Sequence, residues 1–130
     1  MKRILIDTNA ILRFLLLDVP NQAEEVKVLF EKAKAGKIQI IIPEVVFFET
    51  KHMLSGNYYG FEKNLVVNKL ESILSASFLE VENKSIFLKA LDYYKKTSLS
   101  LVDSFILAKA KLENLEIFTF DKNLKKISTS

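Results

Sequence analysis

The chain has 130 residues, a length that one domain can fill and that buries most of its unfolded surface without disulfides or metals. With 49% hydrophobic residues, three glycines and two prolines, the composition excludes a disordered chain. The absence of cysteine excludes disulfides, thiolate metal ligands and a cysteine nucleophile, and a net charge of +3 permits a polyanionic partner without identifying one.

The start of the chain has some features of a secretory signal. Lys2 and Arg3 precede an apolar stretch that ends at Leu17, but polar residues interrupt it and no small-residue cleavage pattern follows. No segment supplies the ~20 consecutive apolar residues that a membrane-spanning helix needs. We therefore expect a soluble, cytoplasmic protein without a membrane partner.

The first half of the chain predicts alternating strands and helices. Ile4 to Ile6 form an unbroken aliphatic run, which is typical of a strand buried on both faces of a parallel sheet. Apolar residues at helical spacing, together with breaks at Pro20, Gly36 and Pro43, predict the elements that follow. These are a helix at 8–17, a helix at 22–35, a strand at 38–42 and a helix at 44–54.

The second half predicts two more strands. Ser55 to Gly60 is the clearest loop in the chain. After it we expect a helix at 61–74, a strand at 78–81, a helix at 84–96, a helix opened by Ser100 and a strand at 116–120. A short polar segment at 122–126 is either a helical turn or a frayed tail. Strands that alternate with helices favour an α/β fold, so we expect one domain, residues 1–130, with helices packed on a parallel sheet.

Four acidic residues occupy positions that a surface role explains least well. Asp7 and Asp121 come directly after predicted strands, and the carboxyl ends of parallel strands meet at the sheet edge where α/β folds form their sites. Glu49 and Asp103 have apolar neighbours one helical turn away, and these are Val45, Met53, Leu99 and Leu107. Mostly buried, unpaired carboxylates would be costly.

Each acid also has a purely structural explanation. Asp7 and Asp121 are placed to cap the helical segments that follow them. Asp103 completes an S-x-x-D capping box that begins at Ser100, and Glu49 is explained as an exposed helical residue. For any one acid alone the structural explanation is somewhat favoured. It is less convincing for all four together, because four unrelated structural roles would then have to place acids at the same edge of the sheet.

If the four carboxylates converge, their like charges repel one another unless a cation lies among them. The expected cation is Mg²⁺ or Mn²⁺, because the cluster offers no thiolate and no convincing imidazole. Such an ion activates water, orients a phosphate and stabilises the leaving oxygen of an in-line displacement. The pattern therefore favours nuclease chemistry.

Four segments resemble, in order and spacing, the motifs of the PIN-domain ribonucleases, and among them the small VapC-like toxins of toxin–antitoxin pairs. They are IDTNAIL at 6–12, PEVVFFE at 43–49, LVDSFILA at 101–108 and FTFDK at 118–122. The first contains Asp7, the second ends in Glu49, and the last two contain Asp103 and Asp121. The resemblance covers essentially the whole chain.

The resemblance implies a three-layer α/β/α fold with a central parallel sheet of four or five strands, and Mg²⁺- or Mn²⁺-dependent endonucleolytic cleavage of RNA. It makes all four acids catalytic metal ligands, with Asp7 and Asp103 as the principal ones, and assigns supporting polar roles to Asn9 and Thr119. It also implies a homodimer and a cognate antitoxin of a type II pair. Asn123 stands where relatives often have an acid, which leaves a fifth carboxylate and a second metal ion unsupported.

Several other residues have two explanations each. Arg13 and Lys51 could hold substrate phosphates, although solvated helical charges are slightly preferred for both. Tyr58 and Tyr59 could stack on unpaired bases, and a dimer or partner interface suits them at least as well. His52 is the single histidine; no Ser-His-Asp pattern includes it, so we expect it to be structural or exposed.

Three alternative functions are open at this point. Aspartyl phosphatases of the haloacid dehalogenase type need a second acid two residues after Asp7, where this chain has Asn9. A non-catalytic RNA- or protein-binding domain of the same fold is disfavoured because all four acids are present. A PIN-like RNA-processing nuclease outside a toxin pair is the third alternative.

Overall fold

The computed structural model describes residues 1–129, and the chain divides into two compact units, residues 1–82 and the part that begins at Asn83. The first unit contains β1 (Lys2–Leu5), α1 (Thr8–Leu16), α2 (Pro20–Lys34), β2 (Ile38–Ile42), α3 (Glu44–Ser55), α4 (Lys63–Ser75) and β3 (Leu79–Val81). The second contains α5 (Lys84–Lys96), α6 (Leu101–Glu113) and α7 (Lys122–Ser128). That residues 1–130 form one domain stays a prediction.

The sheet of the first unit is parallel, and its strands lie in the order β1-β2-β3. The central strand β2 is well buried, with Ile40 and Ile42 inaccessible to solvent. β1 lies at the edge, and Leu5 is exposed there. The prediction of a parallel sheet is confirmed, but the expected burial of the first strand on both faces is wrong, since its exposed side chains lack sheet neighbours on one side.

Residues 116–120 form an irregular connection between α6 and α7 rather than a strand. Their aromatic side chains reach solvent, with Phe118 88% and Phe120 90% exposed. The prediction rested on β-branched and aromatic residues, and those favour a strand only where a pleated, half-buried surface receives them. The sheet of residues 1–129 therefore has three strands, where four or five were predicted.

The end of α2 follows directly from its sequence. Gly36 adopts φ +76, a left-handed conformation that costs glycine no steric penalty. Its N–H donates to the Ala33 carbonyl, and the Lys37 N–H donates to the Lys32 carbonyl, each at 3.0 Å. These two bonds form a Schellman motif, so the predicted end of this helix at Gly36 is confirmed.

The second unit is held together by α5 packed against α6 and by a small apolar cluster that includes α7. The rings of Phe87 and Phe105 lie 5.0 Å apart between centroids. The apolar cluster consists of Leu99, Leu107, Leu124, Tyr93, Ile117 and Ile127. Residues 122–126 are therefore part of the helix α7, which packs into this cluster through Leu124 and Ile127.

Burial raises the pKa of the Tyr94 phenol on α5.

Among residues 1–129, no helix combines the length and apolar character needed to cross a membrane.

Candidate active site

Asp7 begins α1, directly after the end of β1. Its backbone is extended, and its Oδ1 accepts a hydrogen bond from the Ala10 N–H at 3.0 Å. The structural explanation for this acid is therefore correct, since Asp7 is a helix N-cap. The cap bond uses one carboxylate oxygen, Oδ1, so the second oxygen, Oδ2, can still bind a ligand.

Glu49 lies on α3, where it accepts a hydrogen bond at Oε1 from the Thr8 hydroxyl. Its neighbours one turn away, Val45 and Met53, are exposed, whereas Val46 and Thr50 beside them are buried. The expectation that Glu49 lies on an apolar buried face is therefore wrong. The acid is exposed and lies at the border of that face, which is what its explanation as an exposed helical residue expected.

Asp7, Thr8, Asn9, Glu49 and Met53 line one small pocket of about 220 Å³ within the first unit. Two of the four predicted acids thus share a cavity, although 41 residues separate Glu49 from Thr8. The pocket offers two carboxylates, an amide and a hydroxyl, and this oxygen-rich donor set fits a hard divalent cation. Among residues 1–129, no group of three or more His, Cys, Asp or Glu side chains is arranged to hold a metal ion.

The other two acids belong to the second unit, each at a helix N-terminus. The Asp103 N–H donates to the Ser100 hydroxyl at 3.1 Å, which confirms the cap that Ser100 was expected to form. Asp121 caps α7, and its Oδ1 accepts from the Leu124 N–H at 2.8 Å. The cap gives the Asp121 carboxylate a structural role, whereas Asp103 contributes only its backbone N–H to the cap at Ser100. The catalytic role of both acids stays a prediction.

Two polar side chains adjoin Asp121. The Thr119 hydroxyl accepts from the Asp121 N–H at 3.0 Å, so this residue supports the backbone at the acid. Asn123, at the position where relatives often have an acid, donates from Nδ2 to the Ser98 hydroxyl at 2.9 Å. This bond ties the start of α7 to the turn before α6.

Arg13 is engaged in a three-residue network instead of being solvated, since only 15% of its side chain is exposed. Its Nε lies 3.3 Å from Asp18 Oδ1, and its Nη2 donates to the Tyr59 hydroxyl at 3.0 Å. The Tyr59 hydroxyl in turn donates to Asp18 Oδ2 at 3.2 Å. The preferred description of Arg13 as a solvated helical charge is therefore wrong.

The remaining candidates differ in exposure. Lys51 is half-buried on α3, and His52 next to it is exposed, as expected. Tyr58 is 84% exposed, whereas Tyr59 is engaged with Arg13. Of this pair, Tyr58 is therefore the ring exposed to solvent, although its ring also contacts that of Tyr59 at 4.8 Å between centroids.

Sequence reasoning missed Thr8. Asp7 and Asn9 on either side of it are the more obvious candidate ligands, and a threonine at a helix start usually acts as a cap. Here Asp7 is the cap, and Thr8 is buried with its hydroxyl on Glu49. The available signal was a hydroxyl residue directly beside the first acid, but its partner lies on another helix.

Comparison with known proteins agrees with the motifs. The model of the PIN domain family matches residues 4–129, a range that includes both units. The chain is also similar to a VapC ribonuclease from Aquifex aeolicus (strain VF5), with 27% identity over 124 residues, which is 95% of this chain and 90% of that protein. Because the family model spans nearly every residue, the chain belongs to the PIN domain family.

Proposed function

We propose that this protein is a divalent-metal-dependent endoribonuclease and the toxin of a type II toxin–antitoxin pair. Membership of the PIN domain family and similarity to a VapC ribonuclease support a nuclease. The observation that carries the proposal is the pocket in which Asp7 and Glu49 meet. The chain belongs to the PIN domain family, which excludes an aspartyl phosphatase of the haloacid dehalogenase type.

We assign the catalytic and metal-binding roles to all four acids, with Asp7 and Asp103 as the principal ligands and Glu49 and Asp121 completing the set. A bound Mg²⁺ or Mn²⁺ would supply Lewis-acid activation of water and of the phosphate. Asn9 and Thr119 are proposed to support the site. The oxygen donors that line the pocket in the first unit are the chemical support for this choice of cation.

The chain's own residues have separate tasks in this scheme. Glu49 or Asp121 accepts the proton of the water that attacks phosphorus in line. Asp7 is held by its bond to the Ala10 N–H, so one of its oxygens keeps a defined position. Arg13 and Lys51 remain proposed phosphate contacts; for Arg13 this requires that its guanidinium bind phosphate while it stays paired with Asp18.

An RNA cleavage assay tests the activity. Protein purified free of partner and contaminating nucleases should cleave RNA with Mg²⁺ or Mn²⁺ and stop with EDTA. Asp7→Asn should lower the rate at least about 100-fold, since it removes a charge that acts in the transition state. Asp92→Asn is the matched control, because Asp92 forms a surface ion pair with Lys96 on α5. Activity that survives chelation or Asp7→Asn would contradict the proposal.

The toxin role makes its own prediction. We propose a cytoplasmic homodimer whose antitoxin covers the acidic site with its tail, so co-expression with the product of a short neighbouring reading frame should yield a complex that no longer cleaves RNA. A cleaving enzyme that never forms such a complex would favour an RNA-processing nuclease outside a toxin pair. An inactive protein that still binds RNA would favour the non-catalytic alternative.

A further inference from the structure

Thr8 is the first residue of α1, and its environment separates it from an ordinary surface threonine. Its side chain is buried, with 6% of the residue exposed, and its hydroxyl donates to Glu49 Oε1. The direction of this bond follows from chemistry: the threonine hydroxyl carries the hydrogen, and an ionised carboxylate can only accept. The bond therefore joins the start of α1 to α3.

Glu49 has little else to hold it. Its neighbours one helical turn away, Val45 and Met53, are both exposed, so no apolar packing along this row fixes the glutamate. A glutamate has three rotatable side-chain bonds and loses that freedom only when a contact compensates. The Thr8 hydroxyl supplies such a contact, and it lies beside the residue that provides the other carboxylate of the pocket.

The two carboxylates are anchored in the same way. Asp7 uses Oδ1 to accept from the Ala10 N–H, and Glu49 uses Oε1 to accept from Thr8. Each acid is thus held through one oxygen, and its other oxygen is available for a ligand. Both donors belong to the first turn of α1, so this turn sets the positions of both acids in the pocket.

We propose that Thr8 is a positioning residue, whose hydroxyl orients the Glu49 carboxylate beside Asp7 for divalent-cation binding and RNA cleavage. This inference rests on the proposed function. It assigns Thr8 no contact with substrate. Its effect passes entirely through Glu49, in the way that outer partners of metal ligands orient those ligands.

The test measures Mn²⁺ binding to the full chain by calorimetry, together with RNA cleavage. Thr8→Val keeps the side-chain shape and removes the hydroxyl, and it should weaken Mn²⁺ binding about 10-fold or more. Thr8→Ser restores the hydroxyl and should bind Mn²⁺ nearly as the parent does. Thr50→Val is the matched control, because Thr50 is also buried but its hydroxyl donates to the Val46 carbonyl. It should leave Mn²⁺ binding unchanged.

A double-mutant cycle separates positioning from general loss of structure. Once Glu49→Gln has been made, adding Thr8→Val should change Mn²⁺ binding little, since the two residues act as one unit. If Thr8→Val proves poorly folded, Thr8→Ala and Thr8→Ser give the same comparison, and equal binding by these two variants would overturn the inference.

The possible failures are distinguishable. Parental Mn²⁺ binding by Thr8→Val, alongside weakened binding by Glu49→Gln, would overturn the role of Thr8 and leave the proposed function intact. Parental binding and cleavage by Asp7→Asn and Glu49→Gln would overturn the proposed function itself.

Discussion

At the scale of single residues, Asp7 combines two roles that are often treated as alternatives. Its Oδ1 caps α1 through the Ala10 N–H, while the side chain also lines the pocket that it shares with Glu49. A carboxylate has two oxygens, so capping a helix does not prevent it from binding a cation. The structural and functional explanations of this acid are therefore compatible, and suitable substitutions can separate them.

Asparagine caps helices about as well as aspartate, whereas alanine does not. Asp7→Asn should therefore change the free energy of unfolding by less than about 1 kcal/mol. This small change reflects the loss of a negative charge at the helix N-terminus. Asp7→Ala should cost about 0.5–2 kcal/mol because it also removes the cap. Both variants should lose Mn²⁺ binding. Urea unfolding and calorimetry measure these effects, and equal stability of the two variants would show that the cap contributes nothing.

At the scale of elements, the network of Arg13, Asp18 and Tyr59 joins the end of α1 to the loop after α3. The three groups are linked at 3.0–3.3 Å, and the Tyr59 ring stacks at 5.8 Å on that of Phe61. A half-buried ion pair bridged by a phenol holds a polar loop that has few apolar anchors of its own. The conformation of this loop thus depends on a helix more than forty residues earlier.

Tyr59→Phe should lower the free energy of unfolding by about 0.5–1.5 kcal/mol, since it removes the hydroxyl that bridges Arg13 and Asp18. Tyr58→Phe is the matched control. Tyr58 is exposed, so Tyr58→Phe should change the free energy of unfolding by no more than about 0.5 kcal/mol. Urea denaturation measures the free energy of unfolding of both variants. Equal free energies for Tyr59→Phe and Tyr58→Phe would mean that the bridging hydroxyl is not stabilising.

At the scale of the whole molecule, the four predicted acids are divided equally between the two units, with Asp7 and Glu49 in one and Asp103 and Asp121 in the other. The family match includes both units. The proposed site therefore requires that residues distant along the chain act on the same cation. A direct experiment can show which parts of the chain lie beside the bound ion.

Iron-mediated backbone cleavage provides that experiment. Fe²⁺ in place of Mg²⁺, with ascorbate and peroxide, generates radicals that cut the chain next to the bound ion, and mass spectrometry locates the cuts. We expect cuts beside Asp7 and Glu49 and also beside Asp103 and Asp121, with excess Mg²⁺ suppressing all of them. Asp7→Asn should abolish the cuts, and Asp92→Asn should not. Cuts confined to residues 1–82 would contradict a site of four acids.

The sequence alone determined those features whose causes lie within a few residues. Strand β2 and helix α5 have the predicted bounds, Gly36 ends α2 because only a left-handed residue closes that helix, and Ser100 caps α6 as expected. The four motifs also indicate the PIN domain family, to which the chain belongs. In each case the decisive interaction is local, or is a pattern of residues that can be compared directly.

Only the tertiary structure decided the features that depend on distant partners. The bond from Thr8 to Glu49 joins residues 41 positions apart, and that from Arg13 to Tyr59 joins residues 46 apart. The exposure of β1 and of residues 116–120 likewise depends on which elements pack beside them. A side chain's type limits the bonds it can form, but its partner is set by how the chain folds back on itself, and sequence spacing carries little information about that.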